Sequence, residues 1–164
     1  MITIYTDGSS RGNPGPGGWG AIIATKDRII EMGGGEKHTT NNRMELSAAI
    51  CALEGVKKNN LGNEITLLSD STYVVKGITE WIFNWQKKNW KTAGKKPVEN
   101  KDLWERLFEA TKNLNISWKT VPGHAGVEAN ERCDEIATSY AGGEKVLLYK
   151  DSLKNYSVNL EWET

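Results

Sequence analysis

The chain predicts an α/β domain built on a five-stranded mixed sheet, three antiparallel strands followed by two parallel ones, with helices on its flanks. Three observations carry this. Short runs with strand periodicity open the sequence and are joined by turn residues. A nearly continuous apolar run at 64–69 follows a long helix-like segment, as expected of a strand buried on both faces and paired in parallel. From there to residue 140, helix-like and strand-like segments alternate, the order that right-handed crossover connections produce.

In residues 2–7, Ile2 and Ile4 point to one face and Thr3 and Tyr5 to the other, and the strand ends on Asp7. Residues 8–18 (GSSRGNPGPGG) are read as a loop with bare backbone, because proline removes ladder donors and glycine favours turns. Residues 19–24 and 28–32 complete an antiparallel meander through Lys26 and Asp27, ended by Gly33-Gly34-Gly35. A helix then runs from the region of Asn41 and Asn42, which can cap its free donors, to about Lys58. Leu46, Ile50 and Leu53 form its apolar stripe. Glu45 lies in a second row with Ala49, Ala52 and Val56, whose small members allow the helix to approach its neighbour closely.

The strand at 64–69 leads into Asp70, and residues 71–76 form a short helix stopped by Gly77. Residues 80–88 form another, with Trp81 and Trp85 one turn apart; residues 100–112 are the clearest amphipathic helix. A strand at 115–121, a flexible loop at 122–126 and a final helix at 128–140 close the domain, expected to span residues 1–141. Residues 142–164 form an extension in which 146–149 and 158–162 are each a short strand or part of a packed tail. Ligands in such sheets bind at the carboxyl ends of strands, where Asp7 and Asp70 both fall.

A chain of 164 residues with 38% hydrophobic content supports one packed domain. No apolar stretch is long enough to span a bilayer and no early one follows a basic start, so a cytoplasmic monomer away from membranes is expected. The 2 cysteines, Cys51 and Cys133, are isolated and read as buried helical residues, which excludes a disulfide framework and a zinc site. Charge balances at 21 basic against 21 acidic residues, yet the stretch 87–101 holds Lys87, Lys88, Lys91, Lys95, Lys96 and Lys101 against Glu99 alone. A neutral total thus conceals a basic block interleaved with Trp81, Trp85 and Trp90, whose lysines can neutralise phosphates and whose tryptophans can pack on sugars or bases, or which is a solvated helix face with its tryptophans in the core.

The acids Asp7, Glu45, Asp70 and Asp134 form the catalytic candidate. Carboxylates meeting in one cleft repel each other unless a cation neutralises them, and an oxygen-only ligand set suits magnesium or manganese rather than zinc. Magnesium keeps waters and substrate phosphates in its shell, and a pair of ions about 4 Å apart activates water against a phosphodiester while stabilising the leaving oxygen. The expected reaction is phosphodiester hydrolysis.

The segments Thr6-Asp7-Gly8-Ser9, Asn13-Pro14-Gly15-Pro16-Gly17-Gly18, Thr39-Thr40-Asn41-Asn42-Arg43-Met44-Glu45-Leu46, Ser69-Asp70-Ser71, Gly123-His124-Ala125-Gly126 and Asn130-Glu131-Arg132-Cys133-Asp134-Glu135, in this order, resemble bacterial type 1 ribonuclease H over residues 1 to about 141. The resemblance implies a ribonuclease H-like fold and endonucleolytic cleavage of the RNA strand of RNA/DNA hybrids, leaving 5'-phosphate and 3'-hydroxyl ends. It further implies that Asp7, Glu45, Asp70 and Asp134 hold two magnesium ions, with manganese able to substitute, and that His124 assists proton transfer or product release. Trp81, Trp85, Trp90, Lys87 and Lys88 would form a handle on the DNA strand, and Thr40 and Asn100 would surround a DNA phosphate. Gly8, Ser9, Asn13, Asn42 and Glu45 would read the 2'-hydroxyl, with Asn41, Arg43 and Thr72 completing the nucleic-acid face. Gln86 stands where many relatives have a basic residue and Thr72 where they have glutamine, so grip at both places is expected to be weaker. The same acids would also serve a DNA-cutting nuclease or transposase-like core; the His124 loop and the basic block favour hybrid cleavage. A non-catalytic hybrid-binding module is disfavoured, because an unused carboxylate cluster is costly to hold together.

Overall fold

The computed structural model describes residues 1–122 and 127–160. Its strands are β1 (Ile2–Ser10), β2 (Gly15–Ala24), β3 (Arg28–Thr39), β4 (Glu64–Ser69), β5 (Asn115–Thr120) and β6 (Lys150–Ser152), and its helices are α1 (Asn41–Lys58), α2 (Thr72–Lys76), α3 (Ile82–Lys87), α4 (Lys101–Thr111) and α5 (Glu128–Ala141). The sheet order is β5-β4-β1-β2-β3-β6. As expected, β1, β2 and β3 pair antiparallel, while β4 and β5 add in parallel beside β1. A sixth strand, β6, which no period-2 pattern announces, pairs antiparallel with the start of β3.

Alternation along β1 divides the interior in two. Ile2 and Ile4 face α1 and α4, where Leu46, Ile50, Leu53, Leu67, Leu107 and Trp104 form the larger core. Tyr5 faces the other way, with Ile22, Ile29, Leu68 and Cys133, under α5 and the tail. Cys133 is buried as expected, whereas Cys51 is only half-buried.

Three glycine readings are corrected by the same physical cause. Residues 8–10 extend β1 and residues 15–18 already belong to β2, so the connecting loop is only 11–14; β3 likewise runs through Gly33-Gly34-Gly35 to Thr39. These glycines remove side chains where a helix lies on the sheet rather than breaking a strand. A Cβ on Gly18 would sit 2.7 Å from the Ala141 backbone nitrogen, and one on Gly20 would sit 2.5 Å from the Cys133 carbonyl oxygen. Helix α5 therefore rests directly on the main chain of β2. Gly77, expected to stop a helix, is itself right-handed helical, and the chain continues through one wide turn (Gly77–Trp81), closed by the Ile82 N–H donating to the Gly77 carbonyl, into α3. The glycine is there because the Trp104 ring occupies the place of a side chain.

The extension is packed rather than trailing: Tyr149, Leu153, Tyr156, Val158 and Leu160 cover the core under α5. Of the two alternatives for residues 146–149 and 158–160, strand or packed tail, the described residues form the packed tail.

Candidate active site

Asp7 lies within β1, two positions after Tyr5 on the face toward α5, and not at the strand end as expected. Asp70 directly follows the last residue of β4, the parallel neighbour of β1. Glu45 sits on the second turn of α1, whose N-cap is Thr40: the Thr40 hydroxyl accepts from the Arg43 N–H at 3.2 Å, so the cap is a threonine and not the asparagines. Helix α1 can come this close because Gly8 has no side chain; a Cβ there would lie 2.8 Å from the Met44 carbonyl oxygen and closer still to the Glu45 backbone nitrogen.

Carboxylate oxygens of Asp7, Glu45 and Asp70 all lie within 4.8 Å of one another. Asp134, on α5, approaches from the opposite side of the sheet and faces Asp7 closely enough to share a proton with it. Asp7 is only 6% exposed. Burial, reinforced by the charges of Asp70 and Asp134, pushes its carboxyl up to about 8, against one favourable hydrogen bond from the Gly8 N–H at 2.9 Å. Burial and the charges of Asp7 and Asp70 likewise push the Glu45 carboxyl well above the ordinary range. The Glu45 Oε1 atom is buried without a hydrogen-bond partner among the described residues. An orphaned acceptor beside mutually repelling carboxylates fits a hard divalent cation, which supplies the missing positive charge and takes oxygen ligands.

Around this cluster lie the other expected contacts. Asn41 ties the start of α1 to the tip of β1, its Oδ1 accepting from the Ser10 N–H at 2.6 Å, and its own N–H donates to Asn13 Oδ1 at 3.2 Å. Asn42 and Thr72 are exposed, the latter as the first residue of α2. Asn100 precedes α4 in a left-handed conformation (φ 61°) and links two elements. Its Oδ1 accepts from Arg43 at 3.2 Å, and its Nδ2 donates to the Tyr73 hydroxyl at 3.1 Å. The same hydroxyl accepts the N–H of buried Trp104 at 3.1 Å. Arg43 is oriented by a two-pronged pair with Asp102 at 2.8 and 3.0 Å.

The aromatics form a continuous chain from core to surface. Trp104 packs on Trp85 at 5.3 Å, Trp85 on Trp81 at 6.0 Å and on Trp90 at 6.1 Å, and Trp81 is 38% exposed beside exposed Phe83, Lys87 and Lys88. Trp81 is therefore both packed and accessible. His124 lies outside the described residues.

Sequence reasoning missed two groups. Tyr73 carries no motif of its own, and its role emerges only from the packing of α2 on α4. The second is a buried polar knot. Glu31 of β3, 1% exposed, takes Arg132 of α5 at 2.7 and 2.9 Å, the Tyr156 hydroxyl at 2.6 Å and the Tyr149 N–H at 2.8 Å. Burial opposes its charge, but these donors hold the carboxyl below its ordinary value. A lone acid in the apolar run Ile29-Ile30-Glu31-Met32 was the available signal.

Fold and site together define a class: a mixed-sheet, carboxylate-cluster, metal-dependent nuclease. Comparison with known proteins narrows it. The profile of the family described as RNase H matches residues 1–142. The Ribonuclease H of Maricaulis maris is 55% identical over 136 residues, covering 83% of this chain and 90% of its own. Among solved structures, LC9-RNase H1, described as a type 1 RNase H with the type 2 active-site motif, matches with a TM-score of 0.80 at 30% identity, over 92% of this chain and 77% of its own. LC11-RNase H1 in complex with RNA/DNA hybrid matches with a TM-score of 0.66 at 26% identity, over 87% of this chain and 98% of its own. The chain belongs to the ribonuclease H family.

Proposed function

We propose that this protein is an endoribonuclease that hydrolyses the RNA strand of RNA/DNA hybrids, leaving 5'-phosphate and 3'-hydroxyl ends. The observation that carries this reading is the convergence of Asp7, Glu45 and Asp70, with Asp134 against them, at one edge of a fold whose relative LC11-RNase H1 has been solved holding such a hybrid. Asp7, Glu45, Asp70 and Asp134 would hold magnesium, which when bound supplies Lewis acidity toward the scissile phosphate and lowers the pKa of attacking water.

The protein's own groups do the remaining work. Thr40, the N-cap of α1, lies about 7 Å along the helix axis from Glu45 and Arg43 about 3 Å, so one rigid element spaces a DNA phosphate from the RNA phosphate to be cut. Backbone groups of Gly8 and Ser9, the side chains of Asn13 and Asn42 and the carboxylate of Glu45 read the 2'-hydroxyl. Asn41 holds the loop beneath them. Trp81, Trp85, Trp90, Lys87 and Lys88 grip the DNA strand, while exposed Gln86 and Thr72 leave that grip looser at two points. His124, between glycines, moves protons as product leaves.

With magnesium, the protein is expected to cut the RNA of an RNA/DNA duplex at least a hundredfold faster than matched RNA/RNA or DNA/DNA duplexes in an end-labelled gel assay. Cutting that survives excess chelator, or equal cutting of DNA, would overturn the assignment and favour the transposase-like alternative. Because the Tyr73 hydroxyl anchors the Asn100 amide, Tyr73→Phe should raise KM for the hybrid about threefold to tenfold with little change in kcat. It should also lower stability by about 1–2 kcal/mol, since the Trp104 N–H loses its acceptor. Steady-state kinetics and thermal melting read the two effects separately.

A further inference from the structure

The segment beyond the family match, residues 143–160, touches the active-site helix at both ends of its first half. At the start of α5, the Glu128 carboxylate accepts the Asn159 N–H at 2.8 Å. One turn on, Arg132 donates to the Leu147 carbonyl at 3.0 Å as well as to Glu31. Glu31 in turn is held by the tail through the Tyr156 hydroxyl and through Tyr149, whose N–H and carbonyl both pair with it at 2.8 Å. Beneath α5, the Tyr5 hydroxyl donates to the Leu160 carbonyl at 2.7 Å, and the Tyr149 and Tyr156 rings meet at 4.9 Å with a tilt of 39°. Between these fastenings and the site there is little slack, since Arg132 and Cys133 immediately precede Asp134 and the Cys133 thiol reaches the Tyr5 carbonyl at 3.4 Å.

We propose that the tail is a positioning strap: through Tyr156, Tyr149 and Leu147 it fixes the Glu31–Arg132 pair, and with it the height at which α5 presents Asp134 to Asp7. This rests on the reading of Asp134 as a ligand of the catalytic metal. The physical reason for such a device is visible in the contact below α5. At Gly18 and Gly20 the helix lies on bare backbone, so neither position offers a side chain that would interlock with α5 and resist sliding along its axis. A two-pronged, buried arginine–carboxylate pair has strong directional demands and supplies that resistance. The tail then completes the acceptor and donor set of the pair, without which a buried charge would be left partly unpaired.

The test uses full-length Tyr156→Phe, which removes one tail contact and leaves Glu31–Arg132 in place, and Glu31→Gln, which loosens the whole knot. Both should lower kcat threefold or more with KM for the hybrid within twofold of the parent. Both should raise, by a similar factor, the magnesium concentration at the midpoint of metal-induced thermal stabilisation, a readout independent of cleavage. Amide exchange across 131–138 should quicken at temperatures far below melting. Leu107→Ala, in the core on the other side of the sheet, supplies a chain destabilised without disturbing the strap, as does the milder Leu114→Ala at the rim of that core. If Tyr156→Phe and Glu31→Gln match these two variants in showing only a lower melting temperature, with kcat, metal midpoint and exchange of α5 unchanged, the strap is structural alone and the proposal fails. Asp134→Asn separates the two ideas: unchanged kcat and metal midpoint in that variant would overturn the reading of Asp134 rather than the strap.

Discussion

Asp7→Asn is expected to abolish cleavage, by roughly a thousandfold or more, while making the metal-free protein harder to melt at pH 8. Loss of one carboxylate from the cluster removes several kcal/mol of charge available for transition-state stabilisation through the metal, and each factor of ten in rate corresponds to about 1.4 kcal/mol. The stability gain has the opposite origin. In the folded chain the Asp7 carboxyl titrates at about 8 rather than 3.8, so the folded state holds a proton that the unfolded state has already released. Below pH ~4 both states are protonated and nothing is lost; as pH rises toward 8 the folded state is progressively disfavoured. Asparagine removes that slope, so the variant should melt higher than the parent at pH 8, and by less at pH 4. Melting curves from pH 4 to 9 with and without magnesium would show it. Because bound metal must displace the shared proton, the magnesium needed for half-maximal activity should fall as pH rises from 6 to 9. A parent protein with flat metal dependence over that range, or an Asp7→Asn chain that melts earlier at pH 8, would make the acid structural.

Gly8→Ala carries the second largest effect, though it removes no functional atom. The added methyl would meet the backbone of Met44 and Glu45, which has no rotamer to move, so α1 must withdraw from β1. A displacement near 1 Å at a reacting centre costs on the order of a hundredfold in rate, and overpacking of this kind costs about 1–3 kcal/mol in stability. Kinetic assays alongside thermal melts should therefore show a drop of about a hundredfold in kcat in a chain that still folds. Activity within threefold of the parent would mean that the spacing of Glu45 from Asp7 is not set by this contact.

Much of this was legible in the residues. Period-2 and period-3.6 patterning placed α1, β4, α4, β5 and α5 to within a residue or two, and Asp70 lay directly after a strand as expected. What misled was glycine. In Gly17-Gly18 and Gly33-Gly34-Gly35 local propensity argues for a turn, yet the strands persist because the helix above occupies the space. Gly77 misled for the same reason, its vacancy being filled by Trp104 from a distant helix. Contacts between elements far apart in sequence leave no local pattern, which is why the Tyr73 hub was invisible and why Glu31, a lone acid in an apolar run, gave no hint of its partner Arg132.

The bed of β2 glycines under α5 also bears on how such a chain tolerates genetic drift. Where a helix rests on side chains, each substitution in the layer shifts it, and later changes must compensate. Here Gly18 and Gly20 set the separation through atoms that every residue type shares, so at these two points the helix carrying Asp134 is registered by main chain alone and only replacement of a glycine would lift it.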